Sequence, residues 1–450
     1  MKFYSTNNKK ITADLKDAVL KGLCDDGGLF MPSKIPKISA NFIKNINKYN
    51  FRQIAFEIAK TLLEKSISSN ELKKIVNESI NFDAPLVKLA DNIYTLELFH
   101  GPTMAFKDFG ARFMSRLMIY FIKKSRQKLL ILAATSGDTG SAVGNAFLNL
   151  KDTKVILLYP SGKVSKIQEQ QLTTMAGNIA ALEIKGTFDD CQRLVKEAFT
   201  NKELKDKFAK NKTLLSSANS INIARLIPQT FYYFYAYAQY LKLNRGNKKS
   251  MKNKIIFSVP SGNFGNLTAG LIAKKMGLPV KKFLAATNAN DIFPKYLTSG
   301  KFNPKPSKKT ISNAMDVGNP SNFARIKALY KNNIKSIRKD IWSESFSDKK
   351  TKDAILEIYK KYNYIPDPHG TVGYLGLRNY LKKEESENII GIFLETAHPA
   401  KFQDIVEPIL RKKIKIPAKL AECLKKKKTS IKLSKNFEDL KNTLLQKKYS

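Results

Sequence analysis

Residues 129–148 read LLILAATSGDTGSAVGNAFL. Leu129 to Ala134 form an apolar run of strand length. The turn Thr135-Ser136-Gly137-Asp138-Thr139-Gly140 follows, and a helical pattern opens behind it. The same order returns further along the chain. Val155–Tyr159 precedes Pro160-Ser161-Gly162, Ile255–Val259 precedes Pro260-Ser261-Gly262, and Ile389–Leu394 precedes Glu395-Thr396. Strands alternating with helices imply βαβ units, hence an α/β fold of open, mostly parallel sheets covered by helices. Residues 1–95 read differently, as mostly helical. Phe51, Ile54, Ala55, Ile58 and Leu62 share a helical face, with Ser39 or Asn41 as candidate cap of a helix before them. The aromatic run 231–240, FYYFYAYAQY, reads as a core helix on the sheet. Residues 301–310, with two prolines and four lysines, read as a surface loop. From 411 the pattern is Lys-rich and helical, and the four lysines at 425–428 suit a solvated helix end or turn.

Five segments carry candidate chemistry. A Gly-rich turn that opens a helix presents backbone N–H groups to an anion. At 135–140, Thr135, Ser136 and Thr139 add hydroxyl donors, so a carboxylate or phosphate is a natural guest; an ordinary helix cap by Ser136 or Asp138 fits the spacing equally. Ser261-Gly262-Asn263-Phe264-Gly265-Asn266 is a second such turn. It matches neither the dinucleotide fingerprint nor a P-loop, which leaves the phosphate of some other small cofactor. In HGPTMAFKD (100–108), Lys107 follows Met104, Ala105 and Phe106. Desolvation there favours the neutral amine that a Schiff base requires; a lysine snorkelling from a first helical turn is the plainer alternative. Ser220, Asn222 and Arg225 could converge on a phosphate through the planar Arg fork, or Asn219 or Ser220 could merely cap a helix. Thr396 ends a strand, where ligands sit in open α/β sheets, and His398 reads as well as a satisfied structural histidine.

The 450 residues suggest two or three domains. Lys and Arg number 79 against 38 Asp and Glu, a formal charge of +41 that invites a nucleic-acid reading. None of the known nucleic-acid modules is legible, however, and aromatics at 10% argue against a disordered polycation. Cys24, Cys191 and Cys423 are scattered, and with only three histidines no disulfide framework or metal site is expected. The start, MKFYSTNNKK, has no apolar run behind it, so no secretory signal is expected. The uncharged stretches 226–241 and 255–273 are interrupted by Pro or Gly and do not read as membrane helices. A soluble cytoplasmic protein is the expectation.

Together these segments resemble the threonine synthases, pyridoxal-phosphate enzymes of fold type II, the tryptophan-synthase-β class. FYST (3–6), AVLKGLCDDGGLFMPSKIP (18–36), HGPTMAFKDFGARF, ATSGDTGSA, NSINIAR, VPSGNFGN and ETAHPAKF carry the likeness, in order, over nearly the whole chain. The pattern is closest to the bacterial and fungal branch with a long N-terminal domain. The resemblance implies an N-terminal domain at 1–95, a catalytic core of two lobes at 96–400 with the cofactor between them, and a Lys-rich helical segment at 401–450. It implies that Lys107 carries the cofactor as a Schiff base, and that Gly262, Asn263, Phe264, Gly265 and Asn266 hold its phosphate. Thr396 would face the pyridine nitrogen. Thr135, Ser136, Gly137, Asp138 and Thr139 would grip the substrate carboxylate, and Asn219, Ser220, Asn222 and Arg225 its phosphate.

The implied reaction converts O-phospho-L-homoserine and water to L-threonine and phosphate, the last step of threonine biosynthesis. A related dehydratase or cysteine-synthase-like activity is the alternative. A small-molecule substrate, a monomer or weak homodimer, and neither nucleic acid nor membrane as partner are expected. Two departures stand out. Asn7-Asn8 replaces an Arg, and Asp367-Pro368-His369-Gly370-Thr371 stands where a His-Thr-Ala-Val-Gly pattern is expected. Both lie away from the cofactor motifs, so they bear on the fine detail of substrate contacts and not on the reaction class.

Overall fold

The computed structural model describes residues 1–246, 253–384 and 388–446. It divides into two compact units, each discontinuous in sequence. One comprises Met1, 31–106 and 226–415; the other comprises 2–30, 107–225 and 416–450. The division into 1–95, 96–400 and 401–450 follows the chain, whereas compactness cuts across it.

The sheet of the first unit runs Ile341–Ser345, Val280–Thr287, Lys254–Pro260, Ile389–Glu395, Ile93–Glu97 and Leu86–Ala90. All pairs are parallel except the last. The two central strands, Lys254–Pro260 and Ile389–Glu395, are buried almost throughout, as expected of strands covered on both faces. From Lys254–Pro260 the chain order runs one way across the sheet, and Ile389–Glu395 lies on the other side. The crevice at their carboxyl ends is a topological switch point, where open α/β sheets bind ligands. The turns leaving these two strands are 261–266 and 396–400.

The second unit repeats the device. Its five strands are all parallel, in the order Ile431–Leu433, Ile179–Ile184, Thr153–Pro160, Lys128–Ala134 and Thr213–Ser217. Here the order reverses between Lys128–Ala134 and Thr213–Ser217. The turns leaving them are 135–140 and 218–225.

Several sequence expectations need amending. Residues 1–95 are not chiefly helical in their first third: Phe3–Ser5 pairs antiparallel with Thr12–Ala13, and Phe30–Pro32 is also a strand. The helix Phe51–Leu63 has the expected buried face, and Asn50 caps it in a capping box with Gln53. Ser39 precedes the short helix Ala40–Lys44 without a side-chain cap bond. The Lys-rich C-terminal segment is not wholly helical, because Ile431–Leu433 adds an edge strand by pairing with Leu182–Ile184. Lys425 to Lys428 form the exposed turn after the helix Ala418–Leu424. The aromatic run is a helix, Phe231–Leu243, and mostly buried. Among the described residues no helix is long and apolar enough to cross a membrane.

Candidate active site

In the first unit, the turn after Lys254–Pro260 is shaped by its own backbone. Phe264 takes a left-handed conformation, φ 58°, unusual for a bulky residue, and starts the helix Gly265–Met276. Its ring is fixed 4.6 Å from Phe293, centroid to centroid. Asn263 Oδ1 accepts the Ser321 N–H at 2.6 Å. Gly262 is pressed against the 314–315 backbone, where an added Cβ would lie 2.7 Å from Met315 Cα. Only a glycine permits that approach.

Asn266 is the most informative member of this turn. It is 7% exposed, and its Oδ1 accepts the phenols of Tyr232 and Tyr233, each at 2.6 Å. Burial raises both phenols well above their ordinary pKa, so they remain donors. Asn266 Nδ2 has no partner. A buried amide donor costs about 1–3 kcal/mol when unsatisfied. Here it stands in the first turn of a helix whose leading N–H groups also lack intrahelical acceptors. This donor set fits a phosphate group. The tyrosines come from the aromatic helix, whose reading as core is right but incomplete. Nothing in FYYFYAYAQY distinguishes a phenol that aims an amide from one that merely packs.

Thr396, buried at 6% exposure, follows the second switch-point strand. Its N–H donates to Asp367 Oδ2 at 3.1 Å, and the next N–H, of Ala397, to the same oxygen at 3.2 Å. Its carbonyl accepts the Phe106 N–H at 2.8 Å, and Ala397 bridges antiparallel to Ala105. The His398 N–H donates to Met104 O, and Lys401 Nζ to Thr103 O. Residues 103–106 are therefore zipped onto 396–401, with Met104 held at φ 56°. Lys107 follows by one peptide bond. His398 is structural here: its Nδ1 accepts the Ala400 N–H, and burial lowers its pKa to about 4.

In the second unit, Lys107 is half-buried and opens the helix Lys107–Ser125. At 135–140, Thr135 Oγ1 accepts the N–H groups of Gly137 and Gly140 and fixes the turn. Gly137 has φ 130°, and a Cβ there would lie 2.6 Å from Gln168 Cδ. Gln168 Nε2 donates to Asp138 Oδ1 at 3.0 Å. Asp138 is therefore a supporting group rather than the cap, which is Gly137. Ser136 and Thr139 keep partial exposure. Gln168 was overlooked in the sequence, although Ser165-x-x-Gln168 is a legible capping box.

At 218–225, Asn222 donates to Val19 O and Ser217 O and accepts the Ala224 N–H. Arg225, 3% exposed, donates to Ala218 O at 2.7 Å, and its Nε comes within 2.8 Å of where a Cβ of Gly110 would be. Burial lowers the guanidinium to about 10, the charge of nearby Asp108 opposing that shift. Asn219 donates to Ala134 O at 3.3 Å, tying the two switch-point turns together, and its Oδ1 has no partner.

Similarity to known proteins agrees with this geometry. Residues 2–80 match the family "Threonine synthase N terminus", residues 81–394 "Pyridoxal-phosphate dependent enzyme", and residues 371–444 "Threonine synthase, C-terminal". The threonine synthase of Buchnera aphidicola subsp. Acyrthosiphon pisum is 44% identical over 99% of this chain and 100% of its own. The crystal structure of threonine synthase from Escherichia coli superposes with TM-score 0.90 at 40% identity, over 99% of both chains. The PLP-bound threonine synthase from Brucella melitensis gives TM-score 0.88 at 32% identity, over 99% of this chain and 98% of that one. A dehydratase or cysteine-synthase-like activity is not favoured by these matches. With the α/β architecture of fold type II and a donor set suited to the cofactor phosphate, the chain belongs to the threonine synthase family of pyridoxal-phosphate-dependent lyases.

Proposed function

We propose that the substrate is O-phospho-L-homoserine, converted with water to L-threonine and phosphate, and that the residues divide the work as follows. The observation that carries this reading is the unpartnered Asn266 amide at the head of the Gly265–Met276 helix. With the turn 262–265 it would hold the cofactor phosphate. Lys107 would carry the cofactor. The bound cofactor supplies the electron sink for chemistry at the amino-acid substrate's carbons. The Lys107 amine, when free of the cofactor, would take the Cα proton and serve the proton shifts at Cβ and Cγ that expel phosphate and admit water. The Thr396 hydroxyl, a neutral partner for the pyridine nitrogen, would not keep that nitrogen protonated as a carboxylate would.

The substrate carboxylate would lie against the turn Thr135–Thr139. The partly exposed Ser136 and Thr139 would offer it their hydroxyls, while Thr135, Gly137 and Asp138 shape the turn. Asn219 and Ser220 would face the substrate phosphate, with Asn222 and Arg225 supporting that segment from beneath. The protein would act in the cytoplasm as a monomer or weak homodimer.

The test is a product assay. Phosphate release from O-phosphohomoserine should exceed ammonia release from threonine; ammonia alone would overturn the reading. Borohydride should fix the cofactor onto Lys107, and Lys107→Ala should be colourless and inactive.

A further inference from the structure

We propose that Asp367 is the positioning residue of the cofactor site: one buried carboxylate that sets the placement of the phosphate turn, of Thr396 and of the segment entering Lys107. The proposal rests on the cofactor assignments made above.

Asp367 has no solvent exposure. Its two oxygens serve two directions. Oδ2 accepts the N–H groups of Thr396 and Ala397. Those residues in turn hold Phe106, through the Thr396 carbonyl, and Ala105, through the antiparallel bridge to Ala397. Oδ1 faces the other way. It accepts the His369 N–H at 2.7 Å, which caps the helix Pro368–Lys383, and it meets His369 Nδ1 at 2.6 Å. The other ring nitrogen, Nε2, accepts the Ala314 N–H at 3.2 Å. A backbone amide can only donate, so the ring proton sits on Nδ1 and points at Asp367. Ala314 and Met315 form the wall on which Gly262 rests. The carboxylate thus reaches the phosphate turn through His369, and the pyridine-facing and lysine-bearing segments through the Thr396 turn.

The carboxylate is also kept charged. Burial alone would raise its pKa, but the His369 ring and the hydrogen bonds converging on it hold it below the ordinary value. Its neighbour Glu395, equally buried, is raised well above its ordinary value by burial and by the Asp367 charge. Burial and the mutual charge thus favour the proton on Glu395 over Asp367. Accepting from three backbone amides and an imidazole is a task for a carboxylate. An asparagine would present an NH2 to at least one of these donors. The stretch 367–371, expected to lie away from the cofactor motifs, is thus one hydrogen bond from the motif at Thr396.

The test uses the full chain with and without pyridoxal phosphate. Asp367→Asn should bind the cofactor about ten-fold more weakly, the size expected when buried N–H groups lose their acceptor. The visible circular dichroism of the bound cofactor should shrink. At saturating cofactor, kcat should fall about ten-fold or more while the substrate KM moves less than about three-fold. Asp367→Glu should not restore the signal, because an added methylene displaces both oxygens. Wild-type affinity, dichroism and kcat in Asp367→Asn would overturn the proposal, as would an equal loss of apo- and holoprotein melting temperature with the cofactor signals intact. If Asp367→Asn does not fold, His369→Gln carries the test, since it keeps the backbone N–H on Asp367 but removes the imidazole that joins the carboxylate to Ala314: weaker cofactor binding with unchanged KM supports the proposal, and unchanged binding overturns it. Failure of the wild type itself to bind the cofactor would instead overturn the site assignment.

Discussion

At position 370 the chain has glycine for a reason visible only in three dimensions. A Cβ there would lie 2.1 Å from Glu395 Oε1 and 2.3 Å from its Cδ. The carboxyl group of Glu395 fills the space that a side chain at 370 would occupy. Gly370→Ala should destabilise the protein by about 1–3 kcal/mol through overpacking. Glu395→Ala removes the obstruction, so the double variant should recover part of that loss in chemical denaturation. Strict additivity of the two single effects would contradict the steric account. Gly137 is a different case. Its φ of 130° lies outside what a side chain tolerates, so no partner substitution can rescue an alanine there.

Among elements, the aromatic helix Phe231–Leu243 does two jobs with one composition. Its packing was legible from the density of rings. Its service to Asn266 was not, because the phenol of Tyr233 looks the same in sequence whether it is buried among carbons or bonded to an amide. Tyr233→Phe keeps the ring and removes the donor to Asn266 Oδ1 and O. A net loss of about 1 kcal/mol is expected for such a bond. It should appear as roughly five-fold weaker cofactor binding in a fluorescence titration, with little change in melting temperature of the apoprotein. The strands and their turns were the legible part of the fold, since apolar runs ending in Gly or Ser announce themselves locally. The switch points were not, because strand order depends on pairings such as Ser258 with Phe393, far apart in sequence. The candidate residues were legible as motifs. The supporting contacts made by Asp367, Gln168 and Tyr233 were not, because each is made to a neighbour that only folding supplies.

For the molecule as a whole, the charge of +41 is the dominant long-range property. A field of that sign attracts a phosphorylated amino acid and a phosphorylated cofactor alike. Salt shortens its reach to roughly 10 Å at 0.1 M. The kcat/KM for O-phosphohomoserine should therefore fall as ionic strength rises, with kcat nearly constant. A flat kcat/KM from low to physiological salt would remove any role for the field in capture.

The discontinuity of the two units bears on how the chain is made. A ribosome delivers Ile179–Ile184 well before Ile431–Leu433, the strand that covers its outer edge. Until then the growing sheet presents unpaired N–H and C=O groups, a template for pairing with another nascent chain. The lysines around Ile431, from Lys425 to Lys435, would keep that late segment soluble while it waits to dock. Completion of the second sheet thus waits for the synthesis of Ile431–Leu433, well after that of its other four strands.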